Sequence, residues 1–268
     1  MEVCQTQQCF KADNGVIRFL YTRVIFIQDG KIFSGHSPDK NLRSELCIDD
    51  LENVKHIPEE TYSPLTPPRS TIAPILPPDR FYLKRPNLLL FEVSPGQVNP
   101  VLQELEVCEL IKQHPHSNIA TYHGCQSVNN RVIGLCFERY PITLLSKVNP
   151  GYLNKSMFIR MNDRTVTQEQ ADRYLPGIEA GIRHLHSLGL VHNDLNPNNV
   201  MIAADDRPVI IDFDSCRVIG ANLDRAKRTH EWYSPDVHVS AETNDLDALA
   251  EIRAWLTSST PTDFQFGG

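Results

Sequence analysis

The stretch of residues 190–214 constrains this chain most, because two short apolar runs there are framed by oxygen-bearing side chains. The runs at 200–202 and 209–211 are β-branched and flank a polar turn at 203–208, a pattern that predicts a β-hairpin. Three polar residues lie at the ends of these runs: Asp194, Asn199 and Asp212. The hairpin therefore brings two carboxylates and an amide to one end of a rigid element, where such oxygens suit Mg²⁺ together with substrate phosphates.

The motifs in this stretch resemble those of protein kinases. H-N-D-L-N-P-N-N at 192–199 is similar to the catalytic loop H-R-D-L-x-x-x-N, and D-F-D at 212–214 is similar to D-F-G. The resemblance implies that Asp194 accepts the proton of the attacking hydroxyl, while Asn199 and Asp212 hold Mg²⁺. The alternative interpretation is a polar loop around an ordinary hairpin.

Three residues inside these motifs depart from the kinase pattern: Asn193, Asn196 and Asp214. Asn193 replaces an Arg that commonly receives an activation-loop phosphate, which argues against control by that route. Asn196 replaces a Lys or Arg that neutralises the transferring phosphate and helps to separate Ser/Thr from Tyr kinases. Asp214 replaces the last Gly; Asp tolerates left-handed backbone better than most residues, but it adds negative charge beside the metal site.

Composition indicates a protein with ordinary hydrophobic cores. A chain of 268 residues at 41% apolar content is sufficient for one or two domains, and the net charge of −7 argues against a general nucleic-acid binder. The seven cysteines are odd in number and contain no C-x-x-C pair, which indicates reduced thiols rather than disulfides or a zinc site. Without a leader pattern or a membrane-length apolar run, we expect a cytoplasmic protein with no membrane segment.

We expect three regions: a β-rich segment at 1–56, a Pro-rich linker at 57–80 and a kinase-like domain at 81–268. In the first region, apolar runs at 16–28 and 31–35 flank Asp29-Gly30, a strong hairpin signal. These strands could form a small sheet or open a kinase N-lobe. No G-x-G-x-x-G occurs upstream, so the nucleotide phosphates are covered differently or held weakly.

The region 57–80 contains seven prolines in twenty-four residues. This density blocks helices and internal strands, and it predicts an extended linker or a segment that follows the surface. P-x-x-P spacings that begin at Pro64 and Pro74 suit a partner domain with an aromatic groove, and Ser63 and Thr66 each precede a proline, as in sites of proline-directed phosphorylation. A plain spacer is the interpretation that composition favours.

The kinase-like region opens with a predicted strand at 81–84 that carries Lys84. A predicted helix follows, with one apolar face: Leu102, Leu105, Cys108 and either Leu110 or Ile111. By resemblance, Lys84 contacts the α- and β-phosphates and pairs with Glu104. Two alternatives stay open, because a Lys on a strand is usually solvated and because Glu106 or Glu109 could be the partner instead.

The run R-V-I-G-L-C-F-E at 131–138 predicts a buried strand. By resemblance, Phe137 lies at the back of the nucleotide pocket, and the backbone of Glu138 and Tyr140 faces the adenine edge. From the residues alone, this is an apolar strand with a polar exit.

Two longer helices are predicted near the hairpin. The first spans 167–188, with Thr167 and Gln170 as a capping box and a stop at Gly189; its buried stripe is Tyr174, Ile178, Ile182 and Leu185. The spacing of His184 and His186 places them on different helix faces, which favours core or surface histidines over a metal site.

The second of these helices, at about 244–256, carries Asp245 and repeats apolar residues at helical spacing: Leu246, Leu249, Ile252 or Arg253, and Leu256. By resemblance, Asp245 braces the catalytic-loop backbone, and Thr229 with residues 234–236 ends the activation loop. The alternative for Asp245 is a helix N-terminal acid that interacts with the dipole.

The resemblance covers about 81–256 and extends to a group of short fungal kinase-like proteins. It implies an α+β, two-lobed fold with a β-rich N-lobe and a short, truncated helical C-lobe. The implied function is ATP- and Mg²⁺-dependent phosphorylation of a protein Ser/Thr hydroxyl, with an acceptor that the sequence does not identify. The alternatives are a pseudokinase that serves as a binding or scaffolding module, and a small-molecule phosphotransferase.

Overall fold

The computed structural model describes residues 1–13, 16–43, 46–74, 77, 79–90, 99–161, 168–224, 226–258 and 260–266. The chain forms two compact units. One comprises residues 1–69, 84–102 and 126–134, and the other comprises residues 70–83, 103–125 and 135–268. The fold is mixed α+β with a β-rich N-terminal region, as the sequence predicts.

The strands are numbered in chain order: β1 Glu2–Asp13, β2 Val16–Gln28, β3 Lys31–Ser37, β4 Glu52–Ile57, β5 Phe81–Lys84, β6 Tyr122–Val128, β7 Arg131–Glu138, β8 Ile142–Thr143, β9 Leu190–Val191, β10 Val200–Ile202, β11 Pro208–Ile210 and β12 Arg217–Val218. The α-helices follow the same order: α1 Glu59–Tyr62, α2 Pro100–Gln113, α3 Leu144–Val148, α4 Lys155–Ile159, α5 Gln168–Ser187 and α6 Glu242–Thr257. Within the described residues, no helix combines the length and the apolar character that a membrane crossing requires.

The N-terminal strands form a four-stranded antiparallel sheet in the order β1-β2-β3-β4, separate from the sheet of β5, β7 and β6. The predicted turn is confirmed, because Asp29 and Gly30 both have positive φ (51° and 71°), as a two-residue hairpin turn requires. Of the two alternatives for this region, the chain forms a sheet of its own. The sheet packs a core of Val24, Phe26 and Leu51. Sequence patterning misses β1 because its side chains are largely exposed and polar.

The Pro-rich segment follows the surface. Pro64 accepts a hydrogen bond at its carbonyl from Val132 N (2.9 Å), and Thr71 accepts one at its carbonyl from Cys125 N (2.8 Å), so the segment runs along β7 and then β6. Ser63 is buried and its hydroxyl donates to Val132 O, which removes it from the accessible phosphorylation sites of this fold. The expectation that proline density blocks a helix here is wrong for one turn: α1 forms because prolines precede and follow it without entering it.

The elements that carry the kinase-like motifs form largely as predicted. β5 and β7 occupy the predicted strands, and α2 buries Leu105, Cys108 and Ile111. α5 buries the whole predicted stripe and ends before Gly189, whose φ is +74°; the predicted cap at Thr167 lies outside the described residues. β10 and β11 form the predicted hairpin, although β11 ends at Ile210 rather than at residue 211.

Candidate active site

Asp245 fixes the backbone of the loop that carries the candidate base. Its side chain is fully buried in α6 and accepts hydrogen bonds from His192 N and Asn193 N, both at 2.9 Å. The imidazole Nε2 of His186 donates to the same carboxylate at 2.9 Å. The prediction that Asp245 braces this backbone is confirmed, and a role limited to the helix dipole is wrong because the carboxylate satisfies buried donors outside its own helix.

His192 links the two motifs through both ring nitrogens. Its Nε2 donates to Ile211 O at 2.9 Å, and its Nδ1 accepts the N–H of Asp194 at 3.3 Å. These partners select the neutral tautomer with the proton on Nε2, because one nitrogen must donate and the other must accept. The His192 ring therefore connects Ile211, the residue before D-F-D, to the backbone of Asp194 through two hydrogen bonds.

The Asp194 carboxylate is buried and held by several hydrogen-bond donors. It is 4% exposed and accepts hydrogen bonds from Thr229 N (2.7 Å) and from Asn199 Nδ2 (3.1 Å). The Asn196 amide nitrogen lies 3.4 Å from Asp194 Oδ1 and also donates to Asp194 O at 3.0 Å. Burial raises the pKa of Asp194, while the hydrogen bonds from Thr229 and the charge of Lys227 act in the opposite direction. The carboxylate is thus oriented by neutral donors in a desolvated site.

Asn199 and Asp212 begin from neighbouring backbone. Val200 pairs with Ile210 in the β10–β11 ladder, and Ile211 N donates to Asn199 O at 3.0 Å, so Asp212 follows directly. Both donors of the Asn199 amide nitrogen are directed at Asp194, which leaves its amide oxygen as the atom that could coordinate a metal. Asp212 adopts φ +66°. An amide oxygen and a carboxylate at one hairpin end form a donor set that suits Mg²⁺.

Asp214 and Lys227 add charge beside Asp212. The Lys227 ammonium lies 3.5 Å from Asp212 Oδ2 and 3.8 Å from Asp214 Oδ2. The candidate metal ligand Asp212 therefore already has a positively charged partner within the chain, the Lys227 ammonium. Lys227 is a residue that sequence reasoning missed, because its only signal is a K-R pair two residues before Thr229, and nothing local says which way its side chain extends.

Asn193 replaces the motif Arg inside a neutral network. Its side chain is buried, its φ is +63°, and its amide nitrogen lies within hydrogen-bond distance of Val191 O (2.9 Å) and Ser240 Oγ (3.1 Å). Asn244 Nδ2 donates to the Asn193 amide oxygen at 2.9 Å. The position is filled by uncharged partners, which agrees with the expectation that it offers no cation for a phosphate.

Glu104 is the buried acid of α2. It is 6% exposed, whereas Glu106 is exposed and Glu109 accepts hydrogen bonds from the backbone and hydroxyl of Thr71. Burial lowers the pKa of Arg217, and the negative charge of Glu104 acts to raise it. The Glu104 carboxylate therefore lies within electrostatic reach of the segment after D-F-D. Lys84, the last residue of β5, belongs to the first unit and Glu104 belongs to the second, and their pairing stays a prediction.

The candidate nucleotide-pocket residues lie at the end of β7. Phe137 is buried, with its ring 5.5 Å from that of Tyr122 and 6.4 Å from that of Phe213. Glu138 N donates to Thr121 O at 2.9 Å, and its carboxylate lies 3.0 Å from an imidazole nitrogen of His123.

Tyr140 is held beside this strand end by its phenol, because its hydroxyl accepts the N–H of Thr121 at 3.2 Å. The contact of Phe137 with Phe213 places this strand end beside the D-F-D motif. The adenine contacts assigned to Glu138 and Tyr140 stay predictions.

The two α5 histidines have separate structural partners. His186 is buried on Asp245, whereas the ring of His184 stacks on His116 and its Nε2 donates to His114 O. Within the residues that the structure describes, no group of three or more His, Cys, Asp or Glu side chains is arranged to hold a metal ion. Asn199 and Asp212 form a different kind of donor set, which consists of one amide oxygen and one carboxylate.

Comparison with known proteins agrees with the motifs. The family model described as "Protein kinase domain" matches residues 92–251, more than half of the chain. The chain is 30% identical over 101 residues to an RGS domain-containing serine/threonine-protein kinase A of Dictyostelium discoideum (36% of this chain, 9% of the relative). It is 37% identical over 137 residues to the serine/threonine-protein kinase/endoribonuclease IRE1 of Hypocrea jecorina (46% and 10%). It is 26% identical over 115 residues to the tyrosine-protein kinase Fer of Mus musculus (42% and 12%). The matched segments thus span about a tenth of the length of these curated relatives.

Proposed function

Because the chain belongs to the protein kinase superfamily, we propose that it transfers the γ-phosphate of ATP to a Ser or Thr hydroxyl of a protein, with ATP and Mg²⁺ as cofactors. The environment of Asp194 carries this proposal, since its buried carboxylate is oriented by Thr229, Asn196 and Asn199 before any substrate binds. A pre-oriented base suits a reaction whose catalysis consists mostly of positioning and charge neutralisation.

In the proposed step, the acceptor oxygen attacks the γ-phosphorus while the bond from that phosphorus to the β,γ-bridging oxygen breaks and ADP leaves. Asp194 accepts the proton of the attacking hydroxyl. Asn199 and Asp212 would hold Mg²⁺, which supplies neutralisation of phosphate charge when bound. Lys84 contacts the α- and β-phosphates and Glu104 orients it.

The remaining assignments follow the family resemblance. Phe137 closes the back of the nucleotide pocket, and the backbone of Glu138 and Tyr140 meets the adenine edge. Two of the three relatives named above are serine/threonine-protein kinases, which supports a Ser/Thr acceptor. We place the activity in the cytoplasm, as expected from the sequence.

A second candidate function, a pseudokinase that binds partners without transfer, is favoured by the internal partners of the two acids. Thr229 N donates to Asp194 Oδ1, and the Lys227 ammonium pairs with Asp212, so both candidate groups have partners within the chain. If the chain is a pseudokinase, the wild type, which retains Asp194, should transfer no label.

Transfer of label from γ-labelled ATP to generic protein acceptors, with Mg²⁺ or Mn²⁺, tests the proposal. We expect label with the wild type and none with Asp194→Asn, which should still bind nucleotide because the change leaves Asn199 and Asp212 in place. Asp212→Ala should abolish Mg²⁺-dependent nucleotide binding itself. Wild-type transfer that both variants retain would refute the assignment of the site, and absence of label above the Asp194→Asn background would favour the pseudokinase.

A further inference from the structure

Lys227 occupies a position that neither the motifs nor the family comparison assigns. Its ammonium lies between two carboxylates of the D-F-D motif, 3.5 Å from Asp212 Oδ2 and 3.8 Å from Asp214 Oδ2. Its charge also acts to lower the pKa of Asp194, which places it within electrostatic reach of the candidate base. One lysine thus lies beside two carboxylates and within electrostatic reach of the candidate base.

The catalytic loop cannot supply this charge. Asn196 is 1% exposed, and its amide nitrogen donates to Asp194 O (3.0 Å) and to Thr229 Oγ1 (3.1 Å). Its amide oxygen accepts the N–H of Asn198 at 2.9 Å. The side chain is therefore both neutral and committed to structural hydrogen bonds, in the position where kinases carry a cation for the transferring phosphate.

The backbone is anchored at the Lys227 carbonyl and again at Thr229. The buried Ser215 hydroxyl is hydrogen-bonded to Lys227 O, and two residues later Thr229 N donates to Asp194 Oδ1. The side chain itself is 49% exposed, so its ammonium can move from one anionic partner to another without disturbing a core. A fixed backbone and an accessible ammonium are what a phosphate-contacting lysine requires.

We propose that Lys227 is a phosphate-contacting residue that supplies, from the segment after D-F-D, the positive charge that Asn196 lacks, and that Asp214 holds it in place. The inference rests on the proposed function, since it assumes that ATP binds beside Asp212. Lys227 acts on the terminal phosphate, because it lies beside the candidate base rather than near the adenine end of the site. The affinity for ATP should therefore depend on Lys227 more than the affinity for ADP does.

Equilibrium binding of fluorescent ATP and ADP analogues in Mg²⁺ tests this inference without requiring activity. We expect Lys227→Met to weaken the binding of ATP about tenfold and that of ADP less than about twofold, since hydrogen bonds from a charged donor to phosphate are stronger than those between neutral groups. Lys227→Arg should retain most of the ATP affinity. The matched control is Arg228→Met, which removes the same charge one residue later from a guanidinium that stacks 4.1 Å over the ring of Tyr233.

The outcomes separate this inference from the proposed function. Nucleotide binding that depends on Asp212, with an unchanged ratio of ATP to ADP affinity in Lys227→Met, would overturn the role of Lys227 alone. An equal loss in Arg228→Met would also overturn it, because the effect would then be general electrostatics. No nucleotide binding by the wild type would overturn both. Melting temperatures should be alike in all variants, since exposed ion pairs contribute little to stability.

Discussion

The buried ion pair of Lys155 and Glu251 should be the most sensitive polar contact of the C-terminal half. The two side chains are 2% and 1% exposed and lie in direct contact. Lys155 Nζ also donates to Glu231 O (2.7 Å) and Phe266 O (2.9 Å), and Glu251 Oε2 accepts the N–H of Gln265 at 2.9 Å. The pair therefore joins α4 and α6 to two segments that have no regular structure of their own.

Lys155→Met should destabilise the protein by about 3–5 kcal/mol, because it leaves the Glu251 carboxylate buried without a counter-charge. The double variant Lys155→Met/Glu251→Gln should lose less of the free energy of unfolding, about 1–3 kcal/mol. In it no charge is buried, and the glutamine amide still accepts a backbone N–H and donates to one of the freed carbonyls. The two changes should therefore be strongly non-additive, as contacting residues usually are.

Urea unfolding followed by tryptophan fluorescence measures this directly. The chain has two tryptophans, and both belong to the cluster: the Lys155 ammonium lies 4.9 Å from the ring of Trp232, which is 6.0 Å from that of Trp255. Arg183→Met is the matched control, because it breaks the exposed pair with Glu179 and should cost about 0.5 kcal/mol or less. A loss for Lys155→Met no larger than that control, or additive losses in the double variant, would refute the reasoning.

Two further predictions concern the turn after β10 and the Pro-rich segment. The Lys147 ammonium holds the pKa of Asp206 below its usual range, so the stabilisation is present above the ordinary pKa of Asp and is lost as pH falls through the lowered value. Asp206→Asn, which suits the φ of +65° there, should cost about 1 kcal/mol at pH 7 in urea unfolding, and the difference should vanish once the pH falls below the lowered pKa of Asp206. A pH-independent difference would contradict the charge argument. Gly124→Ala should release the segment around Thr71, because an added Cβ would lie 2.7 Å from Thr71 O and the glycine has φ +141°. Limited proteolysis should then cleave within 57–80, and an unchanged pattern would contradict this.

The sequence predicts the candidate site where its residues are close along the chain. Asp194 and Asn199 precede the short β10–β11 hairpin and Asp212 follows it, and short β-branched apolar runs that flank a polar turn reveal such hairpins. Asp245 could be predicted only by resemblance, since it lies fifty-three residues beyond His192. Lys155 and Glu251 are ninety-six residues apart, and no pattern predicts their contact. Such pairs depend on the path of the chain, which local propensity does not encode.

The three motif departures fall into two physical kinds. Asn193 lacks the charge of the motif Arg, and its side chain is held by neutral partners, Ser240 and Asn244, while its backbone N–H donates to the Asp245 carboxylate. Relative to the kinase pattern, Asn196 removes one positive charge and Asp214 adds one negative charge, so the site is more negative by two charges. The Lys227 ammonium restores one positive charge there. Because the hydrogen bonds of Ser215 and Thr229 hold the backbone that carries Lys227, the path of residues 226–229 contributes to the charge beside Asp212. A change that displaces this segment should therefore alter the electrostatics of the candidate metal ligand without touching it.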